Sequence, residues 1–319
     1  MGLRSASLAA ALTLAAFSGF QGTAKAAAPS CDRACLEGLV DQYLRALPTH
    51  SAKGLPVAAN ARFTENTNEM KLGDGIWRTT DSILPDRFIM ADPQAGQVAY
   101  YGRIKENGFT ALLSLRFKVV NRQLTEIEHI VVRKGSNSPG DFDKMLPVNP
   151  IWSRPVDPAK RTPRTAMLKA ADLYFEGIEK GDGNIVPFDD TAIRIENGFL
   201  TAPQPARTDR PAMNVRELFN SRIYNYITEV QHRRYLVVDE ERGIVYGTFM
   251  FKHPGNILEA DSPRFGKVKI TSALAQYPNT TEIIEAFKIE GGKITEIYAY
   301  VSLLPYEQKP GWPDAPAPK

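Results

Sequence analysis

The sequence predicts an α+β protein built from two copies of one unit, each a single amphipathic helix followed by a meander of antiparallel strands. The first observation behind this is internal repetition. Residues 39–67 match residues 170–198 at a constant offset of 131, with Asp41 on Asp172, Tyr43 on Tyr174, Pro56 on Pro187, Ala61 on Ala192 and Glu65-Asn66 on Glu196-Asn197. Further on, 92–98 (Asp92 to Val98) aligns with 239–245, Phe117-Lys118-Val119 with Phe287-Lys288-Ile289, and 124–127 with 294–297, as the offset grows to 147 and then 170. A growing offset means that the second copy carries longer loops, which cost little because loop-closure entropy rises slowly with length. The second observation is helical spacing of Leu36, Leu39, Val40, Tyr43, Leu44 and Leu47. The third is a series of short runs rich in β-branched and aromatic residues, bounded by turn residues such as Glu106-Asn107-Gly108.

In chain order, residues 1–26 read as an export signal. Arg4 supplies a positive start, Leu8 to Phe20 a short apolar run and Ala24-Lys25-Ala26 a cleavage site, so the mature chain is expected to begin near Ala27 and to be periplasmic or secreted. The apolar run is shorter than the ~20 residues that a membrane span needs. Cys31 and Cys35 follow directly. In an oxidising compartment they are expected to form a disulfide, since positions i and i+4 of a helix share a face at a spacing that the bond accepts. A metal pair or a redox motif is the alternative, but the spacing has one residue too many for the redox motif and no second Cys/His cluster follows.

The first unit (27–133) is expected to hold a helix over 36–47 and strands near 61–64, 86–90, 97–104, 111–120 and 125–132. Residues 134–163, rich in Pro, Gly, Ser and Asp and without periodicity, read as a linker. The second unit (164–306) repeats the pattern with a helix over 166–178 and strands near 191–196, 233–238, 244–252, 281–289 and 294–301, with long loops at 201–216 and 253–280. A Pro-rich tail occupies 307–319. The charges at Arg233-Arg234 and at 239–242 read as a solvated turn.

Loss of Arg4 and Lys25 with the signal lowers the formal charge from +3 to +1, which leaves no electrostatic case for nucleic acid. The later chain has no run long and apolar enough for a membrane span. It lacks a Gly-rich phosphate loop, a G-x-S-x-G elbow and H-E-x-x-H, and its four histidines show no local ligand spacing. No metal and no cofactor are therefore expected.

One N-terminal helix on a strongly curved sheet that closes with Phe-Lys-Val and Leu-Thr-Glu-Ile-Glu-His resembles the nuclear transport factor 2-like superfamily, including the SnoaL-like cyclases, ketosteroid isomerase and scytalone dehydratase. The motifs 31–36 (Cys31 to Leu36), 63–66, 72–77 and 91–98 resemble a family of secreted fungal and bacterial proteins of unknown function. The first resemblance implies two cone-shaped domains, each with a cavity between helix and sheet, and pairing of the two sheets to make a monomer with an internal pseudo-dimer.

Strand alternation then selects candidates inside those cones. His129 shares a face with Ile127 and Val131 and is a candidate acid/base, or else a core histidine bonded to a neighbour. Ala299 stands at the matching place. Glu285 interrupts the apolar row Ile283, Phe287, Ile289, where Leu115 stands in the first unit, and half-burial would raise its pKa towards useful acid/base values. His253 extends the row Phe249, Phe251, and Trp77, Tyr43 and Tyr174 are candidate pocket walls. The reading that follows is an exported, cofactor-independent lyase, dehydratase or isomerase using proton transfer on a small, largely apolar molecule, with a non-catalytic small-molecule binder using the same cavities as the alternative.

Overall fold

A computed structural model of the chain describes residues 1–2, 31–135, 141–208 and 211–313. The expected signal sequence, Met1 and Gly2 apart, and the end of the Pro-rich tail lie outside the described residues. Unit one comprises helix α1 (Arg33–Ala46) and strands β1 (Val57–Glu65), β2 (Asn68–Met70), β3 (Thr80–Ile83), β4 (Phe88–Asp92), β5 (Gln97–Glu106), β6 (Phe109–Val120) and β7 (Gln123–Val132). Unit two comprises α2 (Arg164–Lys180), β8 (Phe188–Glu196), β9 (Phe199–Ala202), α3 (Val215–Asn220), β10 (Glu229–Asp239), β11 (Ile244–His253), β12 (Glu259–Ser262), β13 (Gly266–Lys269), β14 (Asn279–Glu290) and β15 (Lys293–Leu304).

Helix α1 starts where Asp32 caps it, the side chain accepting from the Cys35 backbone N–H at 2.9 Å. The Cys31–Cys35 disulfide is formed, with its Cα atoms 5.2 Å apart. Cys31 precedes the cap instead of lying on the helix, so the bond staples the entering chain to the first turn. Leu36, Leu39, Val40, Tyr43 and Leu44 form the buried stripe of α1, as the spacing predicted.

The two sheets share one strand order. Unit one reads β2-β1-β7-β6-β5-β3, with β4 also on β5, and unit two reads β10-β11-β14-β15-β8-β9. All neighbouring strands are antiparallel except β1 with β7 and β8 with β15, which run parallel because the chain crosses from the first strand after the helix to the last. Matching register shifts occur at Lys118/Val119 and at Lys288/Ile289, one in each unit, where an extra residue increases local twist and curvature. The repeated Asn66 and Asn197 have positive φ and carry on the ladder with their side-chain amides: Asn66 Oδ1 accepts from Val131 N at 2.7 Å, and Asn197 Oδ1 from Val301 N at 2.9 Å.

Alternation divides each sheet into a helix face and a face towards the other unit. Ile127 and Val131 pack with the α1 core, while Ile130 and Val132 join a separate cluster with Tyr101, Tyr246, Ile284, Tyr298 and Tyr300 from both sheets. Between the sheets Glu128 accepts from Arg116 Nε at 2.9 Å and from Arg234 Nη1 at 2.8 Å, all three side chains being buried. Arg234 and Asp239 therefore belong to a buried contact and not to a solvated turn, because β10 lies against β4 of the other unit.

The 134–163 segment is more than a spacer. Phe142, Trp152 and Val156 are buried, and Trp152 Nε1 donates to Glu296 Oε1 at 2.6 Å. The tail also docks: Trp312 Nε1 donates to Thr64 Oγ1 at 2.8 Å and its ring lies under the Arg62 and Arg116 guanidinium groups. Removing Glu128 would leave buried Arg234 without a carboxylate while Arg116 keeps Glu126, so Glu128→Ala is expected to lower unfolding free energy by about 3–5 kcal/mol in denaturant titration. A loss below about 1 kcal/mol would contradict this account of the contact.

Candidate functional site

The two helix faces are built on equivalent positions and end differently. In unit one the register sets Leu115 beside His129 and His129 beside Glu65. In unit two the same three places are Glu285, Ala299 and Glu196.

In unit one the central imidazole fills the cone. The Tyr43 hydroxyl pairs with His129 Nε2 at 2.8 Å and accepts from Trp77 Nε1 at 2.9 Å, while Phe63 and Tyr43 meet the imidazole edge-on. His129, Tyr43 and Trp77 are each 0 % exposed. His129 Nδ1 lies 3.9 Å from Glu65 Oε2, beyond hydrogen-bond range. Burial pulls the imidazole below its ordinary value, and nearby Glu65 opposes this only in part. For Glu65, burial pushes upward, but His129, the Ile76 N–H and Arg133 outweigh it and hold the carboxyl below its usual range. Tyr43, Trp77 and His129, each a candidate from the sequence, are thus brought together in one buried cluster.

In unit two a buried Ala299 stands where His129 stands in unit one. A cavity of about 80 Å³ lies between α2 and the sheet, lined by Tyr174, Phe251, His253, Thr281 and Glu285 among others. It adjoins an outer cleft of about 260 Å³, with Arg194, Glu196, Tyr224 and Tyr226 as the shared wall. The outer cleft is completed by Gln204 and by the segment Lys269 to Ser272. These residues come from the two long loops of unit two; the second, read as loop, forms the β12–β13 hairpin, and α3 begins at the end of the first.

Glu285 is 2 % exposed, and its Oε2 has no hydrogen-bond partner among the described residues. Burial raises its pKa to about 8; Arg194 opposes this, Glu196 adds to it, and the Tyr174 hydroxyl opposes it slightly. Arg194 is itself buried, and its Nε and Nη2 are engaged. Its Nε lies 3.2 Å from Glu196 Oε1 and donates to Thr201 Oγ1 at 3.0 Å, while Nη2 donates to the Tyr224 hydroxyl. At the other end of the cavity His253 Nδ1 faces Asn279 Oδ1 at 2.9 Å and Thr281 Oγ1 at 3.0 Å. Burial lowers the His253 pKa to about 4, which the Asn279 contact only partly offsets.

Tyr174, Glu285 and His253, three of the residues singled out by sequence, thus line one cavity, whereas His129 does not share it. Arg194, Glu196, Tyr224, Tyr226 and Gln204 were missed. A signal existed for the first two: Arg194 and Glu196 share a face of β8 while Ile193 and Ile195 occupy the other. The tyrosines and Gln204 come from irregular segments without periodicity. Among the described residues no cluster of three or more His, Cys, Asp or Glu side chains could hold a metal ion, and no helix is long and apolar enough to cross a membrane.

A family described as a domain of unknown function, DUF8021, matches residues 30–131 and 160–301. The chain belongs to this family. The two matched segments follow the two structural units. No curated protein matches the chain. Among solved structures, an NTF2-like protein from Anabaena variabilis is 14% identical, with a TM-score of 0.25, covering 43% of this chain and 90% of that one. An LEH-like epoxide hydrolase of M. tuberculosis is 12% identical, with a TM-score of 0.28, covering 44% of this chain and 84% of that one. The epoxide hydrolase/cyclase-like enzyme SalBIII is 15% identical, with a TM-score of 0.28, covering 44% and 95%. At such scores these likenesses carry no argument about chemistry; the DUF8021 units are assigned as α+β folds on their own strand order.

Glu285 is neutral in the folded protein up to about 8, whereas the unfolded side chain ionises from its ordinary 4.5. The folded state then binds more protons than the unfolded one, so stability is lost as pH rises from 4.5 through 8. Glu282, buried on the opposite sheet face and also raised to about 8 by burial and by Glu128, adds a second loss of the same sign. Buried His129 and His253, both lowered from 6.5, contribute the opposite sign below that value, so melting temperature is expected to fall from pH 6.5 to pH 8.5, with the slope reduced in Glu285→Gln and reduced further in Glu285→Gln/Glu282→Gln. An unchanged slope in the double variant would contradict both assignments.

Proposed function

We propose that unit two carries a proton-transfer site acting on a small, largely apolar molecule, with Glu285 as the general acid. The observation that supports this most is the pair of carboxyls in unlike environments on one helix face. Glu285 is buried and neutral near pH 7, while Glu196, at the cavity's outer wall, faces Arg194 at 3.2 Å. Such divergence between neighbouring carboxyls suits one to donate and the other to accept a proton. In a dehydration, Glu285 gives its proton to the departing hydroxyl as the C–O bond breaks and water leaves. Glu196 takes the proton from the adjacent carbon, and the electron pair of that C–H bond becomes the double bond. In an isomerisation the same pair protonates a carbonyl oxygen and removes a neighbouring C–H proton, giving an enol that is reprotonated elsewhere. Tyr174 and Arg194 are positioning residues, holding the Glu285 carboxyl and Glu196 respectively.

In this reading His129 is a core residue of unit one, whose packed cluster stiffens the scaffold. The chain acts as a monomer in which its own two sheets pair, and it is exported, in keeping with the Cys31–Cys35 disulfide. Its partner is a small molecule.

The test uses β-hydroxy ketones bearing one phenyl ring, whose dehydration creates an enone absorbing in the ultraviolet, together with deuterium incorporation from heavy water into the matching ketones. Glu285→Gln is expected to slow both at least ~100-fold, and the wild-type rate is expected to fall as pH rises through about 8. His129→Ala is expected to cost about 2–4 kcal/mol of stability while leaving the rate per folded molecule unchanged. Full activity in Glu285→Gln, or its loss in folded His129→Ala, would reverse the assignment.

A further inference from the structure

The end of the unit-two cavity opposite Glu285 has a hydrogen-bonding polarity set by the protein. Asn279 spends both amide hydrogens on backbone carbonyls, donating to Leu274 O and to Tyr277 O at 2.8 Å each. Its Oδ1 can therefore only accept, and the atom facing it at 2.9 Å is His253 Nδ1. The Thr281 hydroxyl lies 3.3 Å from the same Oδ1 as a donor, leaving its lone pairs to the His253 Nδ1–H at 3.0 Å. The ring proton thus sits on Nδ1, and Nε2 presents a bare lone pair. His253 is 1 % exposed, and Nε2 has no hydrogen-bond partner among the described residues. A buried acceptor without a donor is costly, and a ligand that supplies the donor recovers that cost.

The surroundings say what kind of donor fits. Tyr226 stacks on the imidazole at 5.4 Å with an angle of 26°, and Phe251, Ile227 and Leu274 extend an apolar wall. The cation at the far end, Arg194, is taken up by Glu196, Thr201 and Tyr224. A carboxylate placed at His253 would set lone pairs against a lone pair. Gln204 Oε1, at the wall of the outer cleft, is likewise buried without a partner among the described residues and again asks for a donor.

We infer that unit two selects a neutral, flat hydroxyl compound, a phenol or an aromatic alcohol, with its hydroxyl donating to His253 Nε2. The inference rests on the reading of this cavity as the functional site and narrows it to a ligand class. His253 is here a specificity-determining residue.

The experiment titrates the full chain with three probes of similar size, phenol, anisole and benzoate, by calorimetry, and records the histidine ring nitrogens by ¹⁵N NMR at pH 7. Phenol is expected to bind at least ~10-fold more tightly than anisole or benzoate, with the unprotonated Nε2 resonance, assigned by its absence in His253→Phe, shifting on phenol addition. In His253→Phe the preference for phenol over anisole is expected to fall within ~2-fold. A second variant, Asn279→Asp, replaces the amide donors and is expected to weaken the preference if folded. Glu285→Gln should keep the phenol preference, so preference retained with no turnover by the wild type overturns the catalytic reading alone. Equal affinities, tightest binding of benzoate, no binding of any probe, or a protonated Nε2 would each overturn the ligand class.

Discussion

Two carboxylates exchanged between the units hold the molecule in the arrangement on which everything else depends. Asp92, at the end of β4, accepts from Val238 N at 3.0 Å and from Arg164 Nη2 at 2.6 Å, at the start of the other unit's helix. Asp239, at the end of β10, accepts from Ala91 N at 3.2 Å and from Arg33 Nη2 at 2.6 Å, at the start of the first unit's helix. The aligned aspartates thus perform the same act in opposite directions. With the sheets fixed face to face, the opposite face of each is left to its own helix. Any cavity in either unit must lie there, on side chains that alternate away from the interface.

On those helix faces the two units differ at the three adjacent strand positions. His129 occupies the middle of three adjacent positions in unit one and is held by Tyr43, which Trp77 holds in turn. Ala299 occupies the same place in unit two, paired with Glu285, whose carboxyl lines the cavity beneath α2. The two differences compensate: a polar ring between Leu115 and Glu65 in one unit, a carboxyl beside an alanine in the other. The long insertions of unit two then build the outer wall that unit one lacks, through Tyr224, Tyr226, Gln204 and Lys269 to Ser272. Duplication followed by such divergence leaves a packed cluster under α1 and a cavity under α2.

Much of the scaffold was legible in the sequence because it rests on periodicity. The buried stripe of α1, the face shared by Ile127, His129 and Val131, and the odd carboxylate at Glu285 all follow from spacing alone. What stayed hidden depends on partners distant in sequence. Arg234 and Asp239 look like hairpin charges until β10 is seen against β4, and Trp312 looks like part of a tail until Thr64 and Arg116 are placed beside it. The parallel pairing of β1 with β7 was equally out of reach, since alternation reveals a face but no neighbour. The sequence also could not say that His129 would be packed against Tyr43 and that Glu285 would line a cavity, because both sit in apolar rows.

The most direct test of this account is the protonation state of Glu285 itself, read by ¹³C NMR of side-chain carboxyls in protein labelled at glutamate, with Glu285→Gln and Glu282→Gln spectra to assign the two raised resonances. The account requires the Glu285 carbon to be in its protonated form at pH 6 and to titrate with a midpoint near 8. Its resonance should also move when an aromatic ligand enters the cavity. A Glu285 carboxyl already ionised at pH 6, or one insensitive to any ligand that binds unit two, would contradict the claim that a neutral buried acid lies at the centre of the site.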